Sequence, residues 1–113
     1  MKKSNRIRKN EEFSKIIAKR HCCSNASFVL YFDQKKEDYS RVGISVSKKL
    51  GDAVTRNKIK RQVRMMFINN YDFDNSPCDL ICIVKAKYLD NSFNDNLLEL
   101  EKLIKKAIIN KYE

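Results

Sequence analysis

Between Ala53 and Tyr71 the chain carries five Lys or Arg and no acid, yet the same stretch places Ile59, Val63, Met66 and Phe67 at helical spacing. At about 100° per residue those four apolar side chains share one arc, while Asn57, Lys60, Arg61 and Arg64 share another, with Arg56 at the border. A helix built this way must bury one stripe and display a concentrated cationic stripe beside it. Surface helices ordinarily intersperse opposite charges as i, i+4 pairs, each stabilising by about 0.2–0.5 kcal/mol. Stacked cations cost a similar amount unless a polyanion neutralises them, and arginine forks match phosphate oxygens bidentately. The segment therefore constrains the chain twice. It needs a core on one side and a partner rich in anionic groups on the other.

The charge of the whole chain points the same way. The net charge is +10, but residues 1–64 hold 18 Lys or Arg against 6 Asp or Glu, whereas residues 65–113 hold 6 against 8. A polarity this uneven is the footprint of a polyanion-binding face rather than of general solubility.

Around the basic helix, periodicity predicts a small α+β domain spanning 1–113, of order αββαβα and arranged as a two-layer sandwich. Residues 1–9 read as a basic arm, expected to be mobile until RNA orders it. Asn10 is the expected cap of a first helix over roughly 11–20, with Glu11 and Glu12 at the positive end of its dipole. Residues 27–33 alternate as a strand, with Phe28, Leu30 and Phe32 on one face and Val29, Tyr31 and Asp33 on the other. Arg41 to Lys48 forms a second strand, whose Val42, Ile44 and Val46 face the core. Its other face, Gly43, Ser45 and Ser47, is small and polar; a helix packed on it would gain little from burial, so it reads as the floor of an open groove. Gly51 and Asp52 supply the turn and cap of the basic helix. Residues 78–86 form a more continuously apolar third strand. Ser92 with Asp95 resembles a capping box for a last helix striped by Phe93, Leu97, Leu100, Ile104 and Ile108.

Other chemistry finds little support. His21, Cys22 and Cys23 could suggest a metal corner, but C-C and the C-x3-C of Cys78 and Cys82 are not usual zinc spacings, so no zinc is expected and the thiols read as reduced. No apolar run approaches the roughly 20 residues of a membrane span, and no apolar block follows the basic N-terminus. A cytoplasmic protein without membrane association is expected. One histidine and no clustered carboxylates in the basic region leave no recognisable catalytic constellation.

Arg56-Asn57-Lys58-Ile59-Lys60-Arg61-Gln62-Val63-Arg64 resembles the R-N-x-x-K-R-x-x-R signature helix of bacterial ribonuclease P proteins. Arg41-Val42-Gly43-Ile44-Ser45-Val46-Ser47-Lys48-Lys49 is similar to that family's second strand and its exit. Arg8-Lys9-Asn10-x-x-Phe13 and Phe28-Val29-Leu30-Tyr31 are similar to its first helix and first strand, so the likeness covers nearly the whole chain. The resemblance implies a left-handed βαβ crossover, the fold of the second domain of a small-subunit ribosomal protein, which ordinary connection rules would not suggest. It implies a protein subunit that binds ribonuclease P RNA through Arg56, Asn57, Lys60, Arg61 and Arg64. It further implies a groove for the single-stranded 5′ leader of precursor tRNA, lined by Phe13, Ile17, Val29, Tyr31, Ser45, Ser47 and Lys48, and a third, metal-binding loop. Many relatives carry Phe where Ile17 stands, which implies weaker stacking there. The RNA subunit is then expected to perform the endonucleolytic cleavage with Mg²⁺ that it and the substrate bind. The protein itself would have no catalytic residue and no organic cofactor, and would be a monomer within the ribonucleoprotein. A stand-alone nuclease and a ribosomal-type RNA-binding protein are the alternatives; cleavage by the protein alone, or co-sedimentation with ribosomes, would distinguish them.

Overall fold

A computed structural model describes residues 1–112, with side chains up to residue 109. Along the chain run α1 (Asn10–Ala18), β1 (Cys22–Ser24), β2 (Phe28–Gln34), β3 (Val42–Val46), α2 (Ala53–Asn70), β4 (Cys78–Val84) and α3 (Phe93–Tyr112), with short 3-10 turns between some of them. The strands form one mixed sheet of order β1-β2-β4-β3. β4 is antiparallel to β2 and parallel to β3, so β3, α2 and β4 make a βαβ crossover between neighbouring strands. The central place of β4 explains its continuous apolarity. It is buried at every position except Ile83, because both of its faces meet other layers.

On one face, Phe28, Leu30 and Phe32 of β2, Val42 and Val46 of β3, and Leu80, Cys82 and Val84 of β4 pack against α2 and α3 in the main core. The α2 contribution is Ile59, Val63, Met66 and Phe67, the stripe expected from the periodicity. Gly51, with φ of 144°, turns the chain into α2, and Asp52 Oδ1 accepts the Thr55 N–H at 2.8 Å as its cap. Ser92 likewise caps α3 by accepting the Asp95 N–H at 3.1 Å. The stripe of α3 is wider than expected: Leu103 and Ala107 join Leu100 and Ile104 in the core, Leu97 and Ile108 pack against it as expected, and only Phe93 stays out, 43% exposed. Phe93 is the first residue of the helix and lines a surface pocket with Lys58, Ile59 and Gln62 of α2.

The opposite face is covered in part by α1, so the sandwich of sheet, α2 and α3 carries an extra element on its back. Ile7, Ile16 and Ile81 form a second, smaller cluster there, with Phe13, Ile17, Tyr31 and Ile83 packed around it. Asn10 does not cap α1. The cap position is Lys9, which makes no side-chain cap bond, and Asn10 is already helical. What ties the helix down is Glu12, whose carboxylate lies 2.7 Å from Arg41 Nη1; Arg41 Nη2 in turn reaches Asp79 Oδ2 at 3.1 Å.

The arm also departs from expectation. Residues 6 and 7 lie against the free edge of β3: Arg6 bridges to Val42 in parallel, the Ile7 N–H donates to the Val42 carbonyl at 3.1 Å, and Asn5 Nδ2 donates to the Ser40 carbonyl at 3.0 Å. Ile7 anchors the segment by burial beside Ile16 and Ile81, and the backbone and Asn5 bonds pair polar groups that the edge of β3 would otherwise leave open. β1 was not expected either. Cys-Cys-Ser is too short to show a period, and it becomes a strand because Asn25 Oδ1 accepts the N–H groups of Ser27 and Phe28 and folds the chain back onto β2. Its alternation turns Cys22 to solvent and Cys23 to the core, so the two thiols diverge.

The Arg41 contact holds the Glu12 carboxyl below the usual glutamate range despite partial burial. A depressed carboxyl contributes stability that is present above the unfolded-state value of about 4.5 and is lost as pH falls through the folded value. Glu12→Gln should therefore melt lower than the parent at pH 7, and the two melting curves should converge as pH is lowered below 4.5. A difference that persists undiminished in acid would show that shape, not charge, holds α1.

Candidate nucleic-acid interface

The sheet registers arrange the back face in rows. Ser45, Ile83 and Val29 stand side by side across β3, β4 and β2, and Gly43, Ile81 and Tyr31 form the next row. Arg41, Asp79 and Asp33 follow. α1 lies over the second and third rows through Phe13 and Glu12, and leaves the row of Ser45, Ile83 and Val29 half-buried. That row is the open floor expected from the small, polar face of β3. Ile83 belongs to it and was not singled out from sequence, because a strand apolar on both faces carries no facing signal.

Gly43 permits the close seat of α1. A methyl group there would stand 2.6 Å from Phe13 Cζ and 2.8 Å from Ile81 Cδ1, inside van der Waals contact. With no side chain at 43, the Phe13 ring rests over the strand and remains only partly buried. Ile17 and Tyr31 are also half-buried beside it. Thus Phe13, Ile17, Val29, Tyr31 and Ser45 come together on one face. Ser47 and Lys48 do not belong to the floor. β3 ends at Val46, and the Ser47 hydroxyl accepts the Lys49 N–H at 3.1 Å to cap a 3-10 turn, which leaves both residues exposed at the rim. The serine cap outcompetes strand continuation because the chain must turn toward Gly51.

The basic face of α2 is displayed as its periodicity requires. Asn57 and Arg61 are exposed, while Arg56, Lys60 and Arg64 are half-buried. These residues and the groove are not separate surfaces. Lys60 and Arg64 share with Phe13, Arg6, Arg8, Ile7, Val42, Ile44 and Met1 a pocket of about 210 Å³ at the outer edge of β3. Burial, reinforced by the nearby Arg6 charge, lowers the Arg64 pKa from its ordinary value. Arg6 and Arg8 were missed from sequence because the arm read as free. The signal that could have found them is the lone Ile7 between them.

No three His, Cys, Asp or Glu side chains converge as a metal site among the described residues, and no described helix is long and apolar enough to cross a membrane. What the surface offers is an aromatic and aliphatic floor that runs into a cluster of guanidinium and ammonium groups. It can stack a base and hold phosphates.

The profile of the ribonuclease P family matches residues 1–108. The ribonuclease P protein component of Mesoplasma florum is 45% identical over 105 residues, covering 92% of this chain and 96% of its own length. That of Bacillus pumilus is 39% identical over 110 residues, covering 96% and 92%. Among solved structures, the RNase P protein of Staphylococcus aureus superposes with a TM-score of 0.82 at 40% identity, covering 93% of this chain and 96% of that one. The Thermotoga maritima RNase P protein gives 0.77 at 30% identity, covering 89% and 96%.

Proposed function

The chain belongs to the ribonuclease P protein family, and from that premise we propose that it binds the catalytic RNA subunit through α2 and the 5′ leader of precursor tRNA in the groove under α1. Its role in the tRNA-processing endoribonuclease is to assemble and to position. The hydrolysis belongs to the RNA subunit, with Mg²⁺ held by that RNA and the substrate, and the protein contributes neither a catalytic side chain nor a zinc site. It works as one copy in a cytoplasmic ribonucleoprotein.

The observation that carries this reading is that Phe13, packed around the same small cluster as Ile17, Tyr31 and Ile83 of the half-open face, also lines the pocket that Lys60 and Arg64 of α2 border. A generic RNA-binding helix needs no such face. Single-stranded nucleic acid suits it, because bases stack on Phe13 and Tyr31 without sequence demand while cations track the backbone.

Reconstitution with ribonuclease P RNA tests the reading directly. At low Mg²⁺ the protein should accelerate cleavage of precursor tRNA at the 5′ end of the mature sequence, and the protein alone should cleave nothing. In the same assay Arg61→Ala should weaken assembly with the RNA subunit and lower the salt slope by about one unit at most, the loss expected of one phosphate contact. Arg61 is exposed, so the melting temperature of the free protein should hardly move. Stability lost with RNA affinity intact would remove Arg61 from the interface.

A further inference from the structure

Resting on the reading that the groove takes a single-stranded leader, we propose that Arg6, Arg8, Lys60 and Arg64 form a phosphodiester site for that leader at the edge of β3, adjoining Phe13, an assignment that leaves Arg56, Asn57 and Arg61 of α2 to the RNA subunit. Neither the signature of α2 nor the groove of the sheet includes the arm, and the site exists only because the arm is docked.

Four observations converge on it. First, the pocket is lined by four cations and no acid, and no salt bridge or side-chain hydrogen bond is made by any of the four among the described residues. By contrast, Arg41, a few residues away in space from the arm, is held between Glu12 and Asp79. Second, Arg6 Nε is buried without an acceptor; Arg41 Nε is too, but the other guanidinium nitrogens of Arg41 reach Glu12 and Asp79, whereas the Arg6 side chain has no acceptor or acid partner among the described residues. A donor withdrawn from water and left unpaired is a standing cost that an anionic oxygen would relieve. Third, Arg64 is driven below its ordinary pKa by burial and by Arg6, so two guanidinium groups face one space with no counter-charge between them. Fourth, Ile7, Val42 and Ile44 give the pocket apolar walls, which lower the local dielectric and strengthen any charge-assisted bond made there.

The chemistry selects a nucleotide rather than a simple acid. Guanidinium forks bind phosphate oxygens two at a time. The Phe13 ring borders the same space, so one residue of RNA could place its base at the ring and its backbone oxygens among the cations. The position of the pocket matters as much as its charge. β3 is the edge strand, and the pocket wraps around that edge from the α1 side of the sheet to the α2 side. A strand of RNA leaving the groove toward α2 must pass it.

The test uses the reconstituted holoenzyme and the free protein. Arg6→Gln with Arg8→Gln keeps side-chain length and removes two charges. Arg8→Gln alone serves should the double variant melt early, because Arg8 is exposed. In the free protein, inorganic phosphate should raise the melting temperature of the parent, by linkage to the folded state, and raise it much less in the variants. In the holoenzyme, precursor tRNA should bind several-fold more weakly to the variants. The salt slope should be shallower by about 0.7, the value for one single-strand phosphate, and mature tRNA should bind as before. Unchanged precursor affinity with an undiminished phosphate response would overturn the proposal. So would weaker assembly with the RNA subunit at an unchanged preference for precursor over mature tRNA, which would give the site to the RNA subunit's own backbone. A parent holoenzyme that shows no preference for precursor would instead sink the leader-binding reading itself, and this site with it.

Discussion

Replacing Phe13 with alanine is expected to weaken precursor tRNA binding by the holoenzyme about tenfold or somewhat more, the equivalent of one base lost from an aromatic platform. Mature tRNA, which has no leader, should bind nearly as well as before. Phe13 is the only aromatic side chain of α1, and it borders both the half-open floor and the cationic pocket. It also has a packing role, since it rests over Gly43 beside the cluster of Ile7, Ile16 and Ile81. The free protein will therefore lose some stability, and the binding measurements must be made where the variant is fully folded. Phe13→Leu separates the two roles: it restores most of the apolar volume but cannot stack. Equal weakening of precursor and mature tRNA, or full recovery with leucine, would take Phe13 out of the site and leave it as part of the core.

The other large effect concerns stability. Asp79→Ala should destabilise the free protein by about 3 kcal/mol, the lower end of what removing one partner of a buried ion pair costs. Asp79 is 1% exposed. It accepts the Arg41 backbone N–H at 2.9 Å through Oδ1 and the guanidinium at 3.1 Å through Oδ2. Burial pushes its carboxyl up from the ordinary aspartate value, against the pull of both Arg41 bonds. Without it, one buried N–H loses its acceptor and Arg41, only 13% exposed in its side chain, keeps Glu12 as its single counter-charge. That remaining partner is why the lower end applies. For a domain of this size the loss corresponds to roughly 10–20 °C in melting temperature. Asp79→Asn retains an acceptor for the N–H and should cost about half as much. A change under about 1 kcal/mol for Asp79→Ala would show that the pair of Arg41 and Glu12 alone anchors the row. Since Glu12 belongs to α1, the same substitution should also loosen the seat of Phe13, and precursor affinity should fall with it.

How far the sequence could be read depends on how local each signal is. The extent of α2, its buried stripe and its cap at Asp52 were all legible, because a helix repeats every 3.6 residues and its cap lies within the next turn. The alternation of Phe28 to Asp33 placed Val29 and Tyr31 on the correct face, and Gly43 and Ser45 announced a sparsely covered surface. Signals shorter than a period failed. Three residues of β1 show no alternation, and the facing of Ile83 is invisible in a strand buried on both sides.

By itself, then, the sequence determined the α+β architecture, the cationic stripe of α2 and the family to which the chain belongs, for these rest on periodicity and on a contiguous motif. Only the tertiary structure decided where the stripe ends up. It set the arm against β3, turned Ser47 from groove floor to turn cap, assigned Arg41 to Glu12 and Asp79, and brought Arg6 and Arg8 beside Lys60 and Arg64. The physical reason is common to all of these. Each depends on a contact between residues far apart in sequence, such as the Ile7 N–H on the Val42 carbonyl or Arg41 between Glu12 and Asp79. No local period encodes such a partner; the packing of the two cores selects it.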